Sequence, residues 1–155
     1  MTAADIMTSP VVSVAPDTSV GEIARVLSER RISGVPVVDT EGRLLGMVTE
    51  EDLVVRAARP HFPLYIPFLE GVIFLGSTRH YEEELRRMLA VTAEQIMTRQ
   101  VETVSPEASV EEVATIMSER DVNRLVVVQG GRVVGVVTRA DVVRTLAAGP
   151  SDAET

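Results

Sequence analysis

The sequence predicts an α+β fold of mixed α/β layers, and three observations point to it. The first is an internal duplication. IMTSPVVSVAPDTSVGEIARVLSER, from residue 6, lies over IMTRQVETVSPEASVEEVATIMSER, from residue 96, at a constant offset of 90 with about half the positions identical. After the second copy's shorter turn the offset becomes 89, and Gly42, Arg43, Gly46, Thr49 and Asp52 fall on Gly131, Arg132, Gly135, Thr138 and Asp141. Self-similarity of this kind means one supersecondary motif used twice, usually because one copy cannot bury its own apolar face. The second observation is that apolar spacing within each copy changes from a helical period to a strand-like run. The third is that those runs are apolar without interruption, which suits a sheet buried against helices.

Each element follows from local pattern. In the first copy Val20, Ile23, Ala24 and Leu27 obey the i, i+3, i+4, i+7 rule of an amphipathic helix, with Thr18 or Ser19 as its cap. Val110, Val113, Ala114 and Met117 repeat the pattern. Two β-branched runs follow, VPVV at 35–38 and LLGMV at 44–48, joined by the turn-rich Asp39-Thr40-Glu41-Gly42. LVVVQGGRVVGVV at 125–137 is the same hairpin, turning at Gly130-Gly131. A second helix is expected after each hairpin, over 50–59 and 139–147, with Pro60 stopping the first. Each copy therefore reads as short strand, helix, hairpin and helix.

The domain reading is a first repeat over 1–59, an insert over 60–91, a second repeat over 92–148 and an acidic tail over 149–155. Phe62, Tyr65, Phe68, Phe74 and Tyr81, all the aromatics of the chain, lie in the insert with His61 and His80. Its end places Tyr81, Leu85, Met88 and Leu89 on one helical face. These aromatics either fill a gap or a dimer seam, or they line or lid a ligand pocket. The two histidines lack metal spacing and a third ligand, so no metal site is expected.

Bulk composition narrows the function classes. At 155 residues, 45% apolar and 25% charged, the chain can bury a sizeable core. A net charge of -8 without a Lys/Arg run longer than a pair argues against direct nucleic-acid binding. The absence of cysteine excludes disulfides and Cys-ligated zinc and fits a reducing compartment. MTAADIMTSP has no basic segment followed by an apolar one, so no signal peptide is expected. The most apolar window, 63–76, falls short of the roughly 20 residues of a membrane helix. These features together predict a cytoplasmic protein without membrane contact. Serines 9, 13, 19, 28 and 33 stand in no G-x-S-x-G context, and no glycine-rich phosphate loop is present, so no catalytic residues are assigned.

Chemistry concentrates in Thr49-Glu50-Glu51-Asp52 and Thr138-Arg139-Ala140-Asp141. The spacing is that of a helix-capping box, which gives both a purely structural reading. Two features favour a ligand instead. A capping box prefers Glu or Gln at the last position, to reach back, and both copies carry the shorter Asp. Each pair also follows a strand directly, where a strand opens into a helix N-terminus and polar ligands commonly sit. An Asp there can accept hydrogen bonds from two adjacent ribose hydroxyls.

The repeats resemble cystathionine β-synthase (CBS) domains, and the whole resembles a stand-alone CBS pair, or Bateman module. The resemblance rests on IMT-x-x-V near each start, RRISGVPVVD and RDVNRLVVV, and the two G-x-V-T-x-x-D endings, and covers about 3–59 and 92–147. It implies a β-α-β-β-α motif repeated with pseudo-twofold symmetry and two clefts that take adenosyl compounds: AMP, ADP, ATP or S-adenosylmethionine. Carried over residue by residue, it assigns Thr138 and Asp141 with Thr8, Val12, Ile32 and Ser33 to one cleft. It assigns Thr49 and Asp52 with Thr98, Glu102, Val122, Asn123 and Arg124 to the other.

The copies differ within those sets. Asn123-Arg124 resembles the basic pair that meets phosphate in the kinase gamma subunits, with Asn in place of their His, whereas Ser33-Gly34 carries no charge. Glu102, where the first copy has Val12, would repel phosphate unless Arg124 neutralises it. Arg139 either supplies a cation to the first cleft or is a solvated helix-start residue. The implied function is a non-catalytic regulatory module with an adenosyl ligand rather than a cofactor, forming a homodimer and signalling to an effector protein. The alternative is a structural dimerisation module in which both Thr-x-x-Asp pairs only cap helices.

Overall fold

The computed structural model describes residues 1–58, 82–83 and 85–149. The insert's five aromatics, both histidines and Pro60 lie outside the described residues, and with them the seam and lid readings; so does the tail from 150.

In chain order the elements are helices α1 (Ala3–Ile6) and α2 (Val20–Arg30), strands β1 (Gly34–Val38) and β2 (Leu44–Thr49), helices α3 (Glu50–Ala58) and α4 (Ala93–Ile96), strand β3 (Thr103–Val104), helix α5 (Val110–Arg120), strands β4 (Arg124–Gln129) and β5 (Arg132–Thr138), and helix α6 (Arg139–Ala148). Residues 85–90 are helical as well. Strands β1 and β2 form a two-stranded sheet, and the order of the other sheet is β3-β4-β5.

The long helices and both hairpins stand where periodicity places them. Ser19 and Ser109 cap α2 and α5, their hydroxyls accepting from the N–H of Glu22 and Glu112 at 3.2 and 3.0 Å. Both helices end on a left-handed residue that is not glycine, Arg31 at φ 53° and Asp121 at φ 50°. The hairpin turns are closed by glycines at positive φ, Gly42 in the first and Gly130 and Gly131 in the second.

The initial strand differs between copies. β3 runs parallel to β4, pairing Thr103 with Val126 and Val104 with Val127, and the Val126 N–H donates to the Glu102 carbonyl at 3.1 Å. The first copy has only an isolated parallel bridge, Val14 to Val37. The position matching Val126 is Pro36, which has no N–H to donate. One residue thus removes the bond that makes a strand in the other copy.

Helices α1 and α4 were not among the elements expected from periodicity. Each is a single turn with a capping box, Thr2 with Asp5 and Thr92 with Gln95. Their sequence signal is the T-x-x-[DQ] spacing repeated at the same offset of 90.

Two compact units form, and they are not the two repeats. One comprises Met1–Ser13, Val38–Gly46 and Arg99–Thr155; the other comprises Val14–Val37 and Met47–Thr98. Each joins the lead-in of one repeat to the body of the other. In the first unit the N–H of Ala3 donates to Ala108 O at 2.7 Å and that of Ala4 to Pro106 O at 3.0 Å. In the second, Ala93 donates to Thr18 O at 2.8 Å and Glu94 to Pro16 O at 2.9 Å, the same bonds 90 residues along.

The first unit's core gathers Ala3, Val104, Ala108, Val113, Met117, Leu125, Val127, Val137 and Val142. Leu125, Val126 and Val127 are all fully buried, as expected of a strand covered on both faces. Strand β5 pairs antiparallel with β4 from Arg124↔Thr138 to Gln129↔Arg132, with a bulge at Val127/Val128. Its outer edge is met by Thr8 at Val136 and by Gly42 O, which accepts from Val133 N at 3.0 Å. In the second unit Val20, Ile23 and Leu27 of α2, Val35 and Val37 of β1, Met47 and Val48 of β2, and Ala93 and Met97 are buried.

Candidate functional site

Both Thr-x-x-Asp pairs stand at a strand end that opens into a helix: β2 into α3, and β5 into α6. Both close as capping boxes. Asp52 Oδ2 accepts from Thr49 N at 2.9 Å and from the Thr49 hydroxyl at 3.0 Å, and Asp52 N donates back to Thr49 Oγ1 at 3.4 Å. Asp141 Oδ2 accepts from Thr138 N at 2.8 Å and Thr138 Oγ1 at 3.1 Å, and Asp141 N donates back to Thr138 Oγ1 at 3.3 Å. The shorter Asp thus closes the box in both copies, and its length does not argue against a capping role. The cap Thr138 is fully extended, at φ -112° and ψ 166°, and this turns its N–H back over the first helical turn within reach of the shorter acid. Asp5 closes the same box on Thr2.

The box uses only one carboxylate oxygen, and the other distinguishes the copies. Asp52 Oδ1 has no hydrogen bond among the described residues. Asp141 Oδ1 accepts from Arg144 Nη2, an i, i+3 ion pair on α6. Asp141 is 4% exposed and is the buried charged residue of the described core, whereas the Arg144 side chain is 70% exposed. Arg144 was missed in the sequence reading. Its signal was a cation three residues past the acid, on one helical face, where the first copy has Val55.

The other expected site residues fall as follows. In the first unit the Thr8 N–H donates to Val136 O at 2.9 Å, two residues before Thr138, and Val12 belongs to the same unit. In the second, Thr98 and Met47 exchange both backbone hydrogen bonds at 2.9 Å, two residues before Thr49. Each lead-in threonine therefore lies beside the strand that ends in a Thr-x-x-Asp pair of the other repeat. Ile32 and Ser33 belong to the second unit, where Ser33 O accepts from Glu50 N at 2.8 Å. Val122, Asn123 and Arg124 belong to the first, where Asn123 O accepts from Arg139 N at 2.9 Å and Arg124 pairs with Thr138. Within a unit, then, the residues leading into a hairpin's first strand lie beside that hairpin's own Thr-x-x-Asp start.

Two of the charged residues weighed in the sequence, Arg139 and Glu102, have partners. Arg139 donates to Asp121 Oδ1 at 3.2 Å and to Val122 O at 3.3 Å, so it ties the start of α6 to the end of α5. Glu102 lies 3.8 Å from Arg120, a cation the sequence reading did not consider for it. At that length, with both side chains well exposed, the pair contributes little to stability. Among the described residues no group of three or more His, Asp or Glu side chains is placed to hold a metal ion.

A family model for the CBS domain matches residues 3–59 and 93–148. The chain belongs to the CBS domain family. It is a tandem CBS pair, and solved CBS pairs share its fold. One, solved in complex with 5′-methylthioadenosine and S-adenosyl-L-methionine, is 26% identical with a TM-score of 0.74, over 97% of this chain and 98% of that one. Another, CBSX2 in complex with AMP, is 25% identical with a TM-score of 0.71, over 95% of this chain and 96% of that one. An uncharacterised protein of Methanocaldococcus jannaschii is 29% identical, over 92% of this chain and 89% of its own length. Other curated relatives are longer: the chain spans 31% of a second protein of that organism and 23% of a homoserine O-acetyltransferase of Methanohalobium evestigatum. No helix among the described residues is long and apolar enough to cross a membrane.

Proposed function

We propose that this CBS pair is a non-catalytic regulatory module that binds an adenosyl ligand, AMP, ADP, ATP or S-adenosylmethionine, through its Thr-x-x-Asp pairs. The observation that carries the proposal is the half-used carboxylate. Each box consumes Oδ2, and the proposed acceptor for the cis-diol of a ribose is Oδ1, which is open at Asp52 and is held by Arg144 at Asp141. The backbone of Thr8 beside β5, and of Thr98 beside β2, supplies a second element at each place. Val12, Ile32, Ser33, Val122, Asn123 and Arg124 are the remaining residues proposed to line the ligand, by resemblance to the family. Support comes from the adenosyl compounds bound by the two similar CBS pairs.

A ligand that prefers one conformation raises its population, and an effector protein would read that shift. A homodimer is part of the proposal. Val54 on α3 and Val143 and Leu146 on α6 are 65%, 60% and 74% exposed, apolar side chains that a second copy would cover. A cytoplasmic setting, with its adenine nucleotides, suits this reading.

The test is ligand-induced thermal stabilisation with AMP, ADP, ATP, NAD(H) and S-adenosylmethionine. A ligand at a hundred times its Kd adds about 2.7 kcal/mol, a rise of several degrees for a chain of this size. Asp52→Ala and Asp141→Ala each lose a cap worth about 1 kcal/mol, so the quantity compared is the ligand-induced shift and not the melting temperature itself. The proposal expects each variant to lose part of that shift. A second reading, that the pairs serve only to cap helices in a dimerisation module, is favoured by the boxes being fully formed. It expects a dimer indifferent to every one of these ligands.

A further inference from the structure

We propose that Arg144 makes the two Thr-x-x-Asp sites unequal, acting as a built-in competitor for the ligand's diol at Asp141 and leaving Asp52 as the first site to fill. The inference rests on the adenosyl-binding reading and deepens it. The two acids occupy equivalent positions, cap their helices with equivalent bonds and differ three places further along, Val55 after Asp52 and Arg144 after Asp141; Arg56, four places after Asp52, makes no ion pair with it. In the first copy the free oxygen, Oδ1, meets no donor among the described residues. In the second copy the same oxygen is held by the Arg144 guanidinium. A pair of ribose hydroxyls can therefore dock on Asp52 without displacing a protein donor, while at Asp141 they must first displace one.

The exposure of the two partners sets the size of the effect. Asp141 is buried, so its Oδ1 is poorly reached by water and the arginine is its principal donor. The Arg144 side chain is 70% exposed, so its release into solvent costs little and its grip is that of a partly screened ion pair. Competition of that kind lowers affinity by up to about fivefold without closing the site. Once displaced, the guanidinium stays within a side chain's length of the diol. An anionic ligand would then lose less at this site than a neutral or cationic one. Arg144 is thus a residue that sets both the order of filling and the preference of the second site for negative charge.

Calorimetric titration of the full chain with AMP, and separately with S-adenosylmethionine, tests the proposal on wild type, Arg144→Val and Val55→Arg. Two binding steps are expected in wild type. Arg144→Val, which copies the first repeat, should tighten the weaker step by about twofold to fivefold and leave the tighter one unchanged. Val55→Arg, which copies the second repeat, should weaken the tighter step by a similar factor. Both substitutions are on exposed helical positions and preserve the capping boxes. Two steps whose affinities are unmoved by Arg144→Val, or a weaker step made weaker still, would overturn the role of Arg144 while leaving adenosyl binding intact. Absence of heat with both ligands in all three proteins would overturn the adenosyl-binding reading and this inference together.

Discussion

At the scale of single residues, the chain shows how little separates a structural carboxylate from a binding one. Asp5, Asp52 and Asp141 each close a capping box through Oδ2, so the box alone does not mark a site. What sets Asp52 and Asp141 apart is placement at the end of a hairpin strand. Asp39 shows a third use of the same side chain. Its Oδ1 accepts from the N–H groups of Glu41 at 2.8 Å and Arg43 at 2.9 Å, clipping the first hairpin turn. These bonds, that from Arg43 foremost, hold the carboxyl below its ordinary value of 3.8 against a partial desolvation that raises it. A folded value below the unfolded one favours the ionised form in the fold. The stabilisation is therefore complete above the unfolded value and is lost as pH falls through the folded one. The amide resonances of Glu41 and Arg43 should titrate together with a midpoint below 3.8, and those of Gly130 and Gly131 should not follow them. A midpoint at or above the ordinary value would show that the clip does not form.

At the scale of elements, the lead-in segments are the feature with most consequence. Gly135 of β5 lies so close to Met7 that a Cβ there would overlap the methionine side chain, with Met7 Cγ only 2.8 Å away. The absence of a side chain at Gly135 lets residues 7 and 8 lie against β5, and Thr8 reaches Val136 by that approach. Gly135→Ala should cost about 1–3 kcal/mol in urea denaturation, and adding Met7→Ala should recover part of the loss. A single-variant cost within about 0.5 kcal/mol would mean that the lead-in does not pack there.

The same segments mark where sequence reading stopped. Helices α2 and α5 announce themselves by apolar period and both hairpins by β-branched runs around turn residues, with α3 and α6 expected after them. The lead-ins hold one-turn helices too short to show a period, and their bonds run to residues of the other repeat far along the chain, where local pattern carries no information. The duplication itself was legible, but exchanged backbone bonds between the copies are invisible to a repeat alignment. The loss of the first strand was legible in principle, because Pro36 stands where the second copy needs an N–H.

At the scale of the whole molecule, duplication supplies two equivalent Thr-x-x-Asp helix starts and divergence then distinguishes them. The placement of Thr49, Asp52, Thr138 and Asp141 where a strand opens into a helix was legible in the sequence. Arg144 stands outside the residue sets that the family resemblance assigns, so the divergence at that position is not signalled by the resemblance. The regulatory reading depends on one claim, that the carboxylate oxygen outside each capping box receives the diol of a bound ribose. Comparing the affinities of AMP and 2′,3′-dideoxy-AMP for the wild-type protein by calorimetry tests it most directly. Each hydrogen bond from a hydroxyl to an ionised acceptor is worth about 1.5–3 kcal/mol, so removal of the diol should weaken binding by at least about tenfold. Equal affinities for the two nucleotides would contradict the account.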